Sequence, residues 1–298
     1  MSHSVPTSDP APRDRAERLA AGLPSFTIRA LRVAAGVISG AHGRRRRGRG
    51  ESFWQFRQFQ PGDPVSTIDW RRTAASQDIF IREREWEVAQ QVWLWCDRSP
   101  SMEYASSPEL ESKRTRAALI TLALAAMLLQ GGETVGLLGS TPRTGRGRAM
   151  LGRIAEHLVA DAPPGTGVPA AIRVERHAQT VLVGDFLEPL ETIAARVRGL
   201  ANQEVAGHLV QVLDPAEELL PFRGRIRFVG AEEEGDLLIG RVETVNRRYV
   251  RRVDEHREGL AAIARKHGWG FLTHRTDRGP EPTLLALHQA LSGAFDRF

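Results

Sequence analysis

The pattern of apolar and polar positions changes character near residue 88. Before it, apolar residues come in isolated stretches. FTIRALRVAAGVISG (26–40) carries them at helical spacing, ending at Gly40, and DIFIRERE (78–85) alternates them as a strand with one wet face does. After it, short apolar runs take turns with longer amphipathic stretches. VAQQVWLWCD, TVGLLGS, QTVLVGDF, GHLVQVLDP and GFLTHRT read as strands, and the continuous apolar end of the first predicts burial on both faces, as in a parallel sheet. KRTRAALITLALAAMLLQ, RAMLGRIAEHLVADA, EPLETIAARVRGLANQ, RRYVRRVDEHREGLAAIARKHG and EPTLLALHQALSGAF read as helices. Ser107-Pro108 predicts the N-cap and first position of the first of these, and Gly131-Gly132 its stop. RIRFVG and DLLIGRVETV flank AEEEG and predict a hairpin. Alternating strands and helices predict an α/β fold: an open, doubly wound, mostly parallel sheet with an N-terminal extension and a small β-hairpin insertion.

Three regions follow. Residues 1–25, rich in Pro, Ser, Asp and Arg, read as a disordered tail. Residues 26–87 form an N-terminal segment, and residues 88–298 the sheet domain. Within the segment, Pro61-Gly62-Asp63-Pro64 is a turn signal and Asp69 an N-cap for a short helix through WRRTAAS. The aromatics Phe53, Trp54, Phe56, Phe59 and Trp70 are expected to pack this segment against the sheet, beside Trp93 and Trp95.

Composition narrows the classes. No run approaches the ~20 apolar residues a membrane span needs, and the first residues have no apolar core of a secretory signal, so a cytoplasmic protein is expected. The single cysteine, Cys96, allows no intramolecular disulfide and no thiolate metal cluster. Lys and Arg number 41 against 36 Asp and Glu, a formal net charge of +5. Arg44, Arg45, Arg46, Arg47 and Arg49 of GRRRRGRG account for all of it. The basicity is therefore one arm, whose Arg44–Arg47 are candidate partner-binding residues for an acidic surface or nucleic acid. No base-reading motif accompanies the arm.

Chemistry is expected at the carboxyl ends of the strands, where doubly wound sheets bind ligands. The first strand ends in Asp97, Ser99 and Ser101, a D-x-S-x-S spacing whose oxygens can converge on one point. One carboxylate with neutral hydroxyls suits a hard divalent cation, Mg²⁺ or Mn²⁺; a plain turn would use the same residues. Asp185 ends the third strand, and Thr166 stands between two glycines in the loop before it. The joint placement favours a metal site. No phosphate-binding loop, H-E-x-x-H or G-x-S-x-G is present, which argues against an enzyme; a metal-dependent hydrolase is the rival.

Together, Asp97-x-Ser99-x-Ser101, Thr166 and Asp185 resemble the metal-ion-dependent adhesion site of von Willebrand factor type A-like domains. The block GRGESFWQFRQFQPGDPVSTIDWRRTAASQDIFIREREWE, with VLDPAEELLPFRG and THRTD further on, resembles the domain-of-unknown-function family fifty-eight, which shares that fold. The resemblance spans residues 41–290. It implies Asp97, Ser99 and Ser101 as first-loop ligands, Thr166 as the second-loop ligand with Thr141 and Thr144 as alternatives, and Asp185 as the third-loop residue. Gly184 departs from the small hydroxyl residue that often stands there, so Asp97, Ser99 and Ser101 alone are a further option. The resemblance also implies a non-catalytic, Mg²⁺-dependent protein-binding module that takes a carboxylate from its partner. A MoxR-type AAA+ ATPase, served as an adaptor in chaperone-like assembly or metal insertion, is the implied partner class.

Overall fold

The computed structural model describes residues 12–42, 55–83 except 62, 64, 75 and 77, then 90–139, 144–160, 167–230 and 235–295. Two compact units emerge, one of residues 41–89 and one of residues 1–40 with 90–298. The chain opens with α1 (Pro12–His42). In the smaller unit β1 (Gln55–Gln58) pairs antiparallel with β2 (Phe80–Glu83), and α2 (Trp70–Thr73) lies between them in sequence. Asp69 caps α2 by accepting from the Arg72 amide at 3.0 Å, as the sequence predicted.

The larger unit continues through β3 (Gln91–Cys96), α3 (Lys113–Gln130), β4 (Thr134–Leu137), α4 (Gly147–Val159), β5 (Gln179–Gly184), α5 (Leu190–Ala201), β6 (Ala206–Leu213) and α6 (Pro215–Leu219). The hairpin β7 (Ile226–Val229) and β8 (Asp236–Ile239) follows, then α7 (Asn246–Lys266), β9 (Gly270–Arg275) and α8 (Glu281–Phe295). Five strands form one parallel sheet in the order β4-β3-β5-β6-β9. From β3 the chain steps outward to β4, then returns to β5 on the other side. The crevice between the carboxyl ends of β3 and β5 is therefore the topological switch point, where such sheets bind ligands.

Side-chain alternation along β3 explains the two layers. Val92, Leu94 and Cys96 face a core shared with α1, α3, α4 and α8, whereas Trp93 and Trp95 face a second core with α5 and α7. The centre of α3 is buried on all sides, which is why its sequence is apolar nearly all round.

Several expectations need correction. Residues 12–25 are helical, not a disordered tail, because PRDRAERLAAGL joins strong helix formers to proline in the first turn. Gly40 does not end that helix, which reaches His42, and its Ala30, Ala34 and Val37 pack into the sheet unit. Ser107 does not cap α3; Ser112 does, accepting from the Thr115 amide at 3.2 Å. Trp70 is 63% exposed and so is not core. Phe56 and Phe80 stack edge to face under the Arg72 guanidinium, while Trp93 and Trp95 sit in the second core of the sheet unit. Phe53, Trp54 and the arm Arg44–Arg47 lie outside the described residues.

Candidate metal centre

β3 delivers Asp97 to the switch point, fully buried and held by a bond from its amide to the Val183 carbonyl at 2.8 Å. Its Oδ1 accepts from the Ser99 amide at 2.8 Å, which folds the chain back into a short 3-10 turn over Pro100–Glu103. Ser99 precedes that turn but makes no side-chain cap bond; its hydroxyl lies 3.0 Å from that of Ser101. The turn is real, and its hydroxyls are nonetheless directed to the site. Ser101 Oγ in turn donates to Asp185 Oδ2 at 2.7 Å. Asp97, Ser99, Ser101 and Asp185 are therefore brought together as expected.

Thr144 is not. Its hydroxyl lies 3.4 Å from Gln91 Nε2, at the start of β3 and thus the opposite edge of the sheet. Thr141 and Thr166 lie outside the described residues. The loop resumes at Gly167, where a Cβ would stand 3.8 Å from Asp97 Oδ2 and 3.1 Å from Glu188 Cγ.

Gly184 has a steric cause. A Cβ there would stand 2.7 Å from Asp97 Cβ and 2.9 Å from Asp97 Oδ2, closer than carbon atoms pack. The larger family residue would displace Asp97, so glycine is what lets β5 approach the carboxylate.

Sequence reasoning missed Lys113. It opens α3, is fully buried, and donates through Nζ to Asp185 Oδ2 at 2.8 Å and to Glu217 Oε1. Glu217 belongs to a capping box at the start of α6, in which Asp214 accepts from the Ala216 amide and Glu217 Oε2 from the Asp214 amide. Only Lys113 and Lys266 are lysines in a chain that otherwise uses arginine, and that rarity was the available signal. A compact ammonium fits between two carboxylates where a guanidinium fork does not.

Burial, then the nearby Asp185 carboxylate, push Asp97 up to about 7. Burial also opposes the charge on Lys113, but Asp185 and Glu217 outweigh it and hold the ammonium above its ordinary value. Burial leaves Glu217 raised even beside that ammonium. Asp97 Oδ2 has no hydrogen-bond partner at all among the described residues.

The donor set fits a hard divalent cation. One buried carboxylate oxygen is unpartnered, the same loop carries two serine hydroxyls, and burying such an oxygen unsatisfied is costly. Among the described residues no group of three or more His, Cys, Asp or Glu could hold a metal, so an ion here would rest on hydroxyls as much as on carboxylates. Cys96 offers no ligand, since burial pushes its thiol up to about 12.

Residues 55–259 match the model of the family described as "Protein of unknown function DUF58". The chain belongs to this family. An uncharacterized protein of Mycobacterium tuberculosis (strain H37Rv) is 27% identical over 282 residues, covering 88% of this chain and 86% of its own length. Among solved structures, the chain is similar to an aerotolerance-related membrane protein from Bacteroides fragilis at 14% identity and a TM-score of 0.43, over 69% of this chain and 100% of that one. It is also similar to BatB from Bacteroides thetaiotaomicron at 13% identity and a TM-score of 0.42, over 69% and 98%. In this DUF58 chain no helix of the described residues is long and apolar enough to cross a membrane.

Proposed function

We propose that this DUF58 protein is a non-catalytic interaction module whose switch-point crevice holds Mg²⁺ or Mn²⁺ and uses it to capture a carboxylate of a partner protein. The observation that carries this reading is the orphaned, buried Asp97 Oδ2, on a carboxylate whose other oxygen bonds the amide of Ser99 while the hydroxyls of Ser99 and Ser101 join and lead to Asp185. When bound, the ion supplies a Lewis-acidic centre with an exchangeable position, which a hard partner oxygen can occupy. Asp97, Ser99 and Ser101 would hold it, with Asp185 in support through the Ser101 hydroxyl and Thr166 on the second loop. Lys113 keeps Asp185 and Glu217 charge-compensated and is held as an ammonium, so it is unsuited to act as a base. His256, which reaches the loop after β5, is bonded through Nε2 to the Phe186 carbonyl at 2.7 Å. These features support binding over catalysis.

By analogy of fold, the partner class is a MoxR-type AAA+ ATPase, with this chain as an adaptor in chaperone-like assembly or metal insertion. Calorimetric titration with Mg²⁺ tests the centre: one ion is expected per chain, and Asp97→Ala should remove the binding while circular dichroism stays that of the folded protein. A wild-type protein that takes up no divalent ion at millimolar concentration contradicts the reading. Recovery of an AAA+ ATPase in Mg²⁺ but not in EDTA tests the partner class.

A further inference from the structure

Exposed large apolar side chains are unevenly placed. In the sheet unit, α1 apart, those among the described residues are Tyr104, Leu187, Leu219, Val229, Leu237 and Leu238, between 38% and 73% exposed. Tyr104 follows β3, Leu187 follows β5, and Leu219 ends α6 after β6. The other three lie on the hairpin inserted between α6 and α7. All six therefore belong to segments leaving the carboxyl edge of the sheet, the edge that carries the candidate metal centre. Isolated surface leucines need no explanation, but their concentration at one edge does.

Charge gathers at the same edge. Helix α7 must begin there, because it returns the chain to the amino end of β9. Its opening turns expose Arg247, Arg248, Arg251 and Arg252, paired at i,i+4 spacing along one side. Arg251 reaches Glu255 at 3.5 Å with both side chains largely exposed, and the other three form no ion pair among the described residues. Of the nearby acids among the described residues, Asp236 pairs with Arg227 and Asp254 with Arg257, while Glu243 accepts from the Gly224 amide; Glu232, Glu233 and Glu234 lie outside the described residues.

Hydrogen bonds tie these pieces into one surface. Asn246 Nδ2 donates to the Leu219 and Leu220 carbonyls at 2.9 Å each, and the Tyr249 hydroxyl to the Glu217 carbonyl at 2.7 Å. The base of the hairpin is closed on itself, with the Val242 amide donating to the Gly224 carbonyl at 3.0 Å, and the chain runs from there through one 3-10 turn (Val242–Thr244) into α7. Glu217 is the partner of Lys113, so this surface lies one ion-pair step from Asp185.

We infer that the hairpin and the first turns of α7 form a docking face for an acidic protein segment with apolar anchors. Apolar residues of that segment cover Leu219 and one face of the hairpin, Val229 and Leu238, which β-strand alternation places together, and its Asp and Glu side chains pair with the four arginines. Charge complementarity selects an acidic occupant. The exposed leucines select protein over nucleic acid, since a phosphate backbone would use the arginines and leave the apolar side chains uncovered. The inference deepens the metal-dependent reading and rests on it only for the one carboxylate that reaches the ion.

Fluorescence anisotropy with the full chain tests it, in Mg²⁺ and in EDTA. The probes are a synthetic peptide of repeating Leu-Glu-Glu units, its Gln-for-Glu counterpart, and a single-stranded oligonucleotide of matched charge. The acidic peptide should bind at least roughly tenfold tighter than either control. Arg247→Glu with Arg251→Glu, and separately Val229→Ser with Leu238→Ser, should each weaken it roughly tenfold in both conditions. These side chains are exposed, so the variants should keep the wild-type melting temperature. Asp97→Ala should remove only the increment that Mg²⁺ adds; the absence of any such increment would count against the metal reading alone. Failure of the wild type to bind the peptide, an oligonucleotide bound as tightly, or a charge-reversed variant that binds as well as wild type would overturn the docking face.

Discussion

Asp97 and Asp185 end neighbouring strands and are both buried, yet they live in opposite settings. Asp185 Oδ2 receives an ammonium from Lys113 and a hydroxyl from Ser101. Among the described residues the Asp97 carboxylate is bonded only by Ser99, whose amide donates to Oδ1 and whose hydroxyl also acts on it, and nothing bonds Oδ2. The fold has thus neutralised one carboxylate with its own cation and left the other without one. The difference teaches that burial alone does not set a carboxylate's role: on the proposed metal-dependent reading, the counter-charge that Asp97 lacks is what an ion would supply.

Breaking the compensated side should have the largest effect. Lys113→Met leaves Asp185 and Glu217 buried without their cation, and a loss of about 3–5 kcal/mol is expected in urea denaturation. A loss below about 1 kcal/mol would mean the pair is not the structural half of the contrast. Saturating Mg²⁺ should restore more stability to this variant than to wild type, since the ion then supplies the missing charge.

The uncompensated side should show itself through pH. In EDTA, Asp97 titrates near 7 in the folded protein, above the ~3.9 of an unfolded chain. The folded state therefore holds this proton more tightly. Its contribution is fully present below pH ~4, fades as pH rises toward 7, and is absent above. Asp97→Asn should flatten that decline in a series of thermal melts. An unchanged slope in the variant would assign the decline to other groups. Gly184→Ala, which presses a methyl group into Asp97, should cost a smaller ~1–3 kcal/mol and weaken any ion binding with it.

Much of this was legible in the sequence, for physical reasons. Strand and helix periods are strong where each element is buried by its neighbours, so β3, α3, β5, β6 and β9 fall where apolar runs place them. Asp97, Ser99, Ser101 and Asp185 were legible because strand ends of a doubly wound sheet are geometrically special. Lys113 was not legible, because a lysine in the first turn of a helix reads as solvated until the sheet brings Asp185 over it. Residues 12–25 were misread because charge and proline content signalled disorder while their helix propensity was strong. Thr144 shared a residue type with a ligand but not an edge of the sheet. Gly184 looked like a departure from pattern and is a steric requirement.

The contrast between the two aspartates comes down to where a divalent ion goes. Crystals grown in saturating Mn²⁺ give a direct answer through the anomalous signal. One peak is expected within coordination distance of the hydroxyls of Ser99 and Ser101 and on the Oδ2 side of Asp97, with Lys113 still bound to Asp185. A map with no peak there, and Asp97 Oδ2 as bare as before, would contradict a metal centre in this protein.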